Sequence, residues 1–260
     1  TAGASMPYGY GVNNVVAESG VEIAKGNSHT FTTKMALNVG DPVRIYNATN
    51  LAGIDLSNFI EYISTVTLTQ VFNDVVGTKF KKLVLGVNTS VSNKRNSSLS
   101  LISGLSKATA LEYLDISGFT GISSLDLSNQ VSLQTLKAYE SGLTNILLAP
   151  GCLCSYLELP ETMQSLSLID MSNLSTGLLI ANNGKNLNNI VIKNCVNFNS
   201  HTFIFNWLDN KVTSNALCSL IMTNINWSNV ATAQLLKLGQ IKVDGGTLSL
   251  QGKIKVVDAT

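Results

Sequence analysis

A short apolar motif recurs through the middle of this 260-residue chain and constrains its fold more than any other feature. The motif has the form apolar-x-x-apolar-x-apolar and starts at Leu111, Ile122, Leu133 and Leu143, which lie 11, 11 and 10 residues apart. A short fixed period is typical of a solenoid, in which each repeat packs only against its neighbours and the outer surface is left for contact. The pattern therefore favours a scaffold or binding module over a catalytic pocket.

The central apolar residue of the motif can be followed through nine positions: Leu114, Leu125, Leu136, Ile146, Leu157, Leu166, Leu178, Ile190 and Leu220. Two half-turns of about 11 residues, each a strand and a turn, form a coil of about 21 to 23 residues. We expect a flattened, β-rich, right-handed solenoid with strands on both sides, few helices and leucines meeting in a thin core. One parallel sheet is predicted through Leu114, Leu136, Leu157 and Leu178, and the opposite sheet through Leu125, Ile146, Leu166 and Ile190.

Composition supports many short strands and excludes several classes of partner. Hydrophobic residues make up 45% of the chain and charged residues only 13%, with Asn, Ser, Thr and Gly filling the difference. These small polar residues favour tight turns. A net charge of +1 provides no electrostatic basis for binding nucleic acid or an anionic membrane surface. No apolar run has the length of a membrane span, so we predict neither nucleic acid nor membrane as a partner.

Three regions are predicted along the chain. Residues 1–40 form a β-rich lead-in, or the end of a preceding domain, with candidate strands at 22–24 and 29–33. Residues 41–226 form the solenoid, whose loosely patterned start has candidate strands at 43–46, 66–68 and 80–85. Residues 227–260 form an α/β cap over the open end of the stack, with a helix at about 228–238 and strands at 241–243, 247–250 and 253–257.

A helical insertion is predicted within the solenoid at about residues 200–215. Ser200 is a suitable N-cap, and the apolar residues that follow at helical spacing form one stripe: Phe203, Ile204, Trp207 and Leu208. The chain opens on Thr1 and ends abruptly after a predicted strand, which we interpret as a processed chain or a segment of a longer one.

The residue types that carry catalysis or metal binding do not form a recognisable constellation. His29 and His201 are far apart and have no Cys, Asp or Glu at metal-ligand spacing. No nucleophile elbow, P-loop or dinucleotide motif occurs. Four cysteines would permit two disulfides in a secreted protein, but we interpret them as reduced thiols used as small apolar residues: Cys152, Cys154, Cys195 and Cys218. We predict a non-enzymatic protein without cofactor or metal.

One candidate contact face is predicted on the outer side of the first sheet. The residues just after the aligned leucines are Asp115, Lys137 and Glu158, whose alternating charges favour in-register parallel stacking. The residues just before the leucines are Tyr113, Thr135 and Tyr156, and Tyr139 lies further along its strand. Two interpretations are open: these side chains only stabilise neighbouring strands, or they form a contact patch for another protein or a glycan.

Residues 111–129, in which two LxxLxL half-turns alternate, resemble the leucine-rich repeats of bacterial and phage surface proteins, and the resemblance covers about residues 80–225. It implies a leucine-rich repeat solenoid that binds rather than catalyses. Many such repeats carry an Asn three residues after the last motif leucine, which forms an internal ladder. The matching positions here are Phe119, Gln130, Ser141 and Gly151. We therefore expect no Asn ladder and a flatter, straighter stack.

Several segments also resemble, in their order, a leucine-rich region of large virion proteins from bacteriophages of gut Bacteroidetes and Firmicutes, including crAss-like phages: residues 45–51, 77–86, 110–115, 157–162 and 223–227. This resemblance implies an exposed module of a tail or tail-tip protein that contributes to assembly or host attachment. Its partners would be other virion proteins or copies of itself, and a host-surface protein or glycan. The alternatives are a cell-surface leucine-rich repeat adhesin of a gut bacterium and, third, the carbohydrate-binding arm of a larger enzyme.

Overall fold

The structure, a computed structural model, describes residues 8–12, 15–21, 30, 43–46, 51–68, 79–87, 93–214, 218–225 and 254–259. Most of these residues belong to a stack of coils whose strands pair in parallel from one coil to the next. The six strands of the first sheet are β4 (Gly53–Asp55), β6 (Lys82–Val84), β8 (Tyr113–Asp115), β10 (Thr135–Lys137), β12 (Tyr156–Leu159) and β14 (Leu178–Ile180).

 

Each strand of this sheet pairs with the next one in register.

The predicted leucine ladder of the first sheet is confirmed. Leu136 lies opposite Leu114 on one side and Leu157 on the other, and Leu157 lies opposite Leu178. All four side chains are buried in one continuous apolar core. Because strand side chains alternate between the two faces of a sheet, burial of these leucines places the residues before and after each of them on the outer face.

The opposite side of the stack carries strands at the predicted positions, but they form three ladders instead of one sheet. The ladders are β5 (Val66–Thr67) with β7 (Ile102–Ser103), β9 (Ser124–Leu127) with β11 (Asn145–Leu148), and a four-stranded set of β13 (Ser165–Ile169), β15 (Asn189–Lys193), β16 (Ser219–Ile225) and β17 (Ile254–Ala259). The prediction of a continuous sheet through Leu125, Ile146, Leu166 and Ile190 is therefore wrong between Ile146 and Leu166. The coil that separates these two residues is one residue shorter than the preceding coil. At this point the backbone N–H of Gln164 donates to the Thr144 carbonyl at 2.8 Å and links the two coils.

The start of the chain differs from the prediction in its pairing. The strand β3 (Val43–Tyr46) is present, but it pairs antiparallel with β1 (Tyr8–Val12), which also pairs antiparallel with β2 (Val15–Val21). Only residues 47–52 separate β3 from β4, whereas two neighbouring parallel strands need a crossover of about a dozen residues or more. For this reason β3 cannot extend the first sheet as a parallel neighbour of β4. The predicted strand at 22–24, nearly all of that at 29–33, the helix at 228–238 and the strands at 241–243 and 247–250 lie outside the described residues.

The predicted helical insertion is confirmed as α1 (His201–Thr213), which occupies the place in chain order where the next strand of the first sheet would come. The Trp207 Nε1–H donates to the Leu187 carbonyl at 2.8 Å, and the Lys211 ammonium donates to the Lys185 carbonyl at 2.8 Å. The Ser200 carbonyl accepts a bond from the first turn, whereas its hydroxyl donates to the Ser175 carbonyl of the previous coil. Short 3-10 helices occur at Ser57–Tyr62 and Leu105–Lys107, whereas Ala181–Gly184 is a left-handed turn in which Asn182 and Asn183 have positive φ.

Two buried amides perform the task of an Asn ladder at separate points of the stack. The Asn96 Nδ2 donates to the carbonyls of Ile60 and Ile63, while its Oδ1 accepts bonds from the backbone of Ser98 and Leu99. The Gln130 Nε2, in the turn that follows β9, donates to the Leu105 carbonyl at 2.9 Å and lies 3.4 Å from that of Ala108. At Gln130, one of the positions where many leucine-rich repeats carry Asn, a longer amide makes this contact instead.

We expect Gln130→Ala to lower the free energy of unfolding by about 2 kcal/mol, since it removes the buried hydrogen bond to the Leu105 carbonyl and opens a cavity. Urea unfolding followed by circular dichroism measures the change. The matched control is Gln164→Ala, whose side chain is exposed and which should change stability by less than about 0.5 kcal/mol. Equal effects of the two variants would contradict a structural role for the buried amide.

Candidate functional site

The predicted contact face is assembled on the outer side of β8, β10 and β12. Thr135 lies directly opposite both Tyr113 and Tyr156, so these three side chains form one row across the sheet. Lys137 lies opposite both Asp115 and Glu158, so the charged residues form a second row beside the first. The coil-to-coil register, and not any local turn, brings these residues together from positions about one coil apart in the sequence.

The tyrosine row is longer than the sequence indicated. Lys82 of β6 lies opposite Tyr113, and its ammonium sits 5.3 Å from the centroid of the tyrosine ring, within the range of a cation–π interaction. Sequence reasoning missed Lys82 because 31 residues separate it from Tyr113, well beyond the regular coil length. The row ends after Tyr156 at Gly177, where an added Cβ would lie 1.9 Å from the Ser155 carbonyl oxygen.

The charges and phenols of the face influence one another. Burial and the nearby Asp115 carboxylate raise the pKa of Tyr113, and burial and Glu158 raise the pKa of Tyr156. Burial alone would lower the pKa of Lys137, but Tyr113, Asp115 and Glu158 outweigh that effect and raise it. The Tyr156 hydroxyl lies 3.4 Å from the Glu158 carboxylate. The face is therefore a coupled electrostatic unit in which Lys137 is the central positive charge.

Asp115 is the exception among the residues predicted on the outer face. It is buried, and its Oδ1 accepts a bond from the Ser117 backbone N–H at 2.9 Å. Room for the carboxylate comes from Gly86 in the preceding coil, where an added Cβ would lie 2.6 Å from the same oxygen. The remaining six residues of the face are half-buried, so Asp115 supports the face from beneath while the others present surface.

Tyr139 lies beyond the end of β10, next to an ion pair that sequence reasoning also missed. The Arg95 guanidinium contacts the Glu140 carboxylate, and the Tyr139 carbonyl accepts the Gly118 N–H at 2.9 Å. Arg95 belongs to a polar stretch that reads in the sequence as an ordinary surface loop. Lys81 and Glu112, one residue before Lys82 and Tyr113, form a further ion pair at 2.6 Å. The face is thus bordered by charged pairs on both sides of the tyrosine row.

The four cysteines are free and buried, as predicted. The contact with the Cys154 thiol lowers the pKa of Cys152, and the same contact together with burial raises the pKa of Cys154. Across the described ranges, no group of three His, Cys, Asp or Glu side chains is arranged to hold a metal ion. None of the helices in the described part of the chain combines the length and apolar character needed to cross a bilayer.

No protein-family model, curated protein or solved structure matches this chain.

We expect Lys137→Glu to destabilise the fold by about 1 kcal/mol, because it places three carboxylates side by side across neighbouring strands. The matched control is Lys137→Gln, which removes the positive charge without adding a negative one and should have a smaller effect. Urea unfolding at low and high salt measures both changes. The difference between the variants should shrink at high salt, and a salt-independent difference would contradict the electrostatic explanation.

We also expect the free energy of unfolding to fall above about pH 10. The folded-state pKa values of Tyr113, Tyr156 and Lys137 are raised, so the folded chain retains protons that the unfolded chain loses. Their stabilising contribution is complete below the unfolded pKa and is lost as the pH rises through the folded pKa. Urea unfolding at increasing pH should show a shallower alkaline fall for Tyr113→Phe combined with Tyr156→Phe. An unchanged pH dependence would contradict the assignment.

Proposed function

We propose that this chain is a non-enzymatic leucine-rich repeat module that makes contacts on the surface of a bacteriophage tail or tail-tip protein. The alternation of LxxLxL half-turns supports the repeat type, and the order of the segments at 45–51, 77–86, 110–115, 157–162 and 223–227 supports the phage assignment. The single observation that supports a contact role is the outer face of the first sheet, where two tyrosines and two half-buried charges lie in register.

The physical properties of this face suit recognition. Tyrosine contributes a large, rigid contact area at a small cost in side-chain entropy, and its hydroxyl adds directional hydrogen bonding. The backbone beneath is paired with neighbouring coils on both sides, so little ordering is needed when a partner binds. Lys137 and Glu158, of opposite sign, provide charge complementarity to a partner or to another copy of the chain.

We expect Tyr113→Ala combined with Tyr156→Ala to reduce tail assembly or adsorption to host cells by about tenfold or more. The variant would be made in the phage-encoded polypeptide that contains this chain, and plaque-forming particles and adsorbed particles would be counted. The matched control is Tyr62→Ala, a tyrosine that is 53% exposed and lies outside the face. If the double variant only lowers the melting temperature and leaves assembly and adsorption unchanged, the tyrosines serve strand packing and the contact proposal fails.

The location of the protein separates the phage proposal from the adhesin alternative. Antibodies raised against the chain should label purified phage particles in immunogold electron microscopy. Labelling of the bacterial envelope in uninfected cells, without labelling of particles, would overturn the phage proposal and favour the cell-surface adhesin.

A further inference from the structure

A groove of about 730 Å³ lies beside the contact face but shares none of its residues. It is formed by the turns that follow the strands β9, β11, β13 and β15, stacked over successive coils. The Ser155 N–H donates to the Gln134 carbonyl at 2.9 Å, and the Asn199 N–H donates to the Ser175 carbonyl at 2.8 Å, which aligns the turns. The volume is within the usual range of ligand sites, about 300 to 1,000 Å³.

The lining of the groove is neutral and rich in amides and hydroxyls. All eleven described residues that line it are uncharged, and they include Gln134, Ser155, Asn173 and Asn197. Amide groups combine donors and acceptors, and hydroxyls can serve as either. The apolar side chains of Leu153 and Val196 are 46% and 43% exposed, which adds two hydrophobic patches between the polar groups.

Two of the amides are held in place by the neighbouring coil. The Asn197 Nδ2 donates to the Ser172 carbonyl at 2.8 Å, and the Asn173 Nδ2 lies 3.4 Å from the Leu153 carbonyl. These contacts use one donor of each amide, and no protein donor to either Oδ1 is found among the described residues. The orientation of both acceptors is therefore set before any ligand arrives, which lowers the entropy lost on binding.

This chemistry selects one ligand class. A charged ligand would lose hydration without meeting an opposite charge, and an apolar ligand would leave the amides unpaired. An extended peptide would bind best by adding a strand, but the backbone of these turns is already paired with neighbouring coils. A neutral sugar chain offers hydroxyls to the amides and C–H faces to the apolar patches. We propose that this groove binds a neutral glycan that runs across successive coils.

Affinity electrophoresis of the whole 260-residue chain, through gels containing mannan, galactomannan, xyloglucan or laminarin, tests the proposal. Alginate serves as the anionic comparison. We expect at least one neutral polymer to retard the chain and alginate to leave its mobility unchanged. Gln134→Ala and Asn173→Ala should each weaken retardation by about fivefold, the value of one net hydrogen bond. Both side chains are exposed, so the fold should be unaffected.

The matched control is Asn189→Ala, an exposed asparagine on the outer face of β15, which should leave retardation unchanged. Retardation by none of the neutral polymers, retardation by alginate alone, or equal retardation of the groove variants and the parent chain would each overturn the proposal. Binding of an extended peptide at the groove in place of a glycan would do the same. Because the assay uses the chain alone, its outcome is independent of the proposed role of the tyrosine face in the phage.

Discussion

Parallel hydrogen bonding between successive coils is the interaction on which the rest of this structure depends. A strand of two to seven residues has no stable existence alone, and its backbone groups find partners only in the coils before and after it. This requirement sets the register, because a slip of one residue would turn the buried leucines outward. The same register aligns Tyr113 with Thr135 and Lys137 with Glu158 on the outer surface. Packing of the core and composition of the face are consequences of one pairing pattern.

The carbonyl groups of the turns also need hydrogen-bond donors, because the turns lie outside the paired strands. The chain meets this need with donors of several chemical types. An amide donates at Asn96 and Gln130, a hydroxyl at Thr162, an indole at Trp207 and an ammonium at Lys211, and each reaches a carbonyl in an earlier coil. A regular ladder of one residue type would do the same work, but a mixed set leaves no consensus in the sequence. These side-chain hydrogen bonds to the turn carbonyls therefore cannot be read from the repeat pattern of the sequence.

Most of the central stack and the arrangement of the face could be predicted from the sequence, because a period of about 11 residues determines which side chains meet. Prediction failed where the spacing departs from that period. Lys82 reaches Tyr113 across 31 residues, and the ladder breaks between β11 and β13 where a coil is shorter. Val43–Tyr46 has a strand-like composition, but composition does not specify an antiparallel partner at Tyr8–Val12. Burial of Asp115 depends on Gly86, a contact between coils that no local motif encodes.

The helix α1 takes the place of a strand on one side of the stack, so the two sides differ after β15. On one side the helix packs on the segment between β14 and β15, where its Trp207 and Lys211 bond to the Leu187 and Lys185 carbonyls, whereas on the other side the strands continue to β16 and β17. Duplication or loss of a coil well upstream of the helix would preserve these contacts. The number of coils before the helix, and with it the reach of the outer surface, can thus change by whole units during evolution or engineering while the helix keeps its contacts.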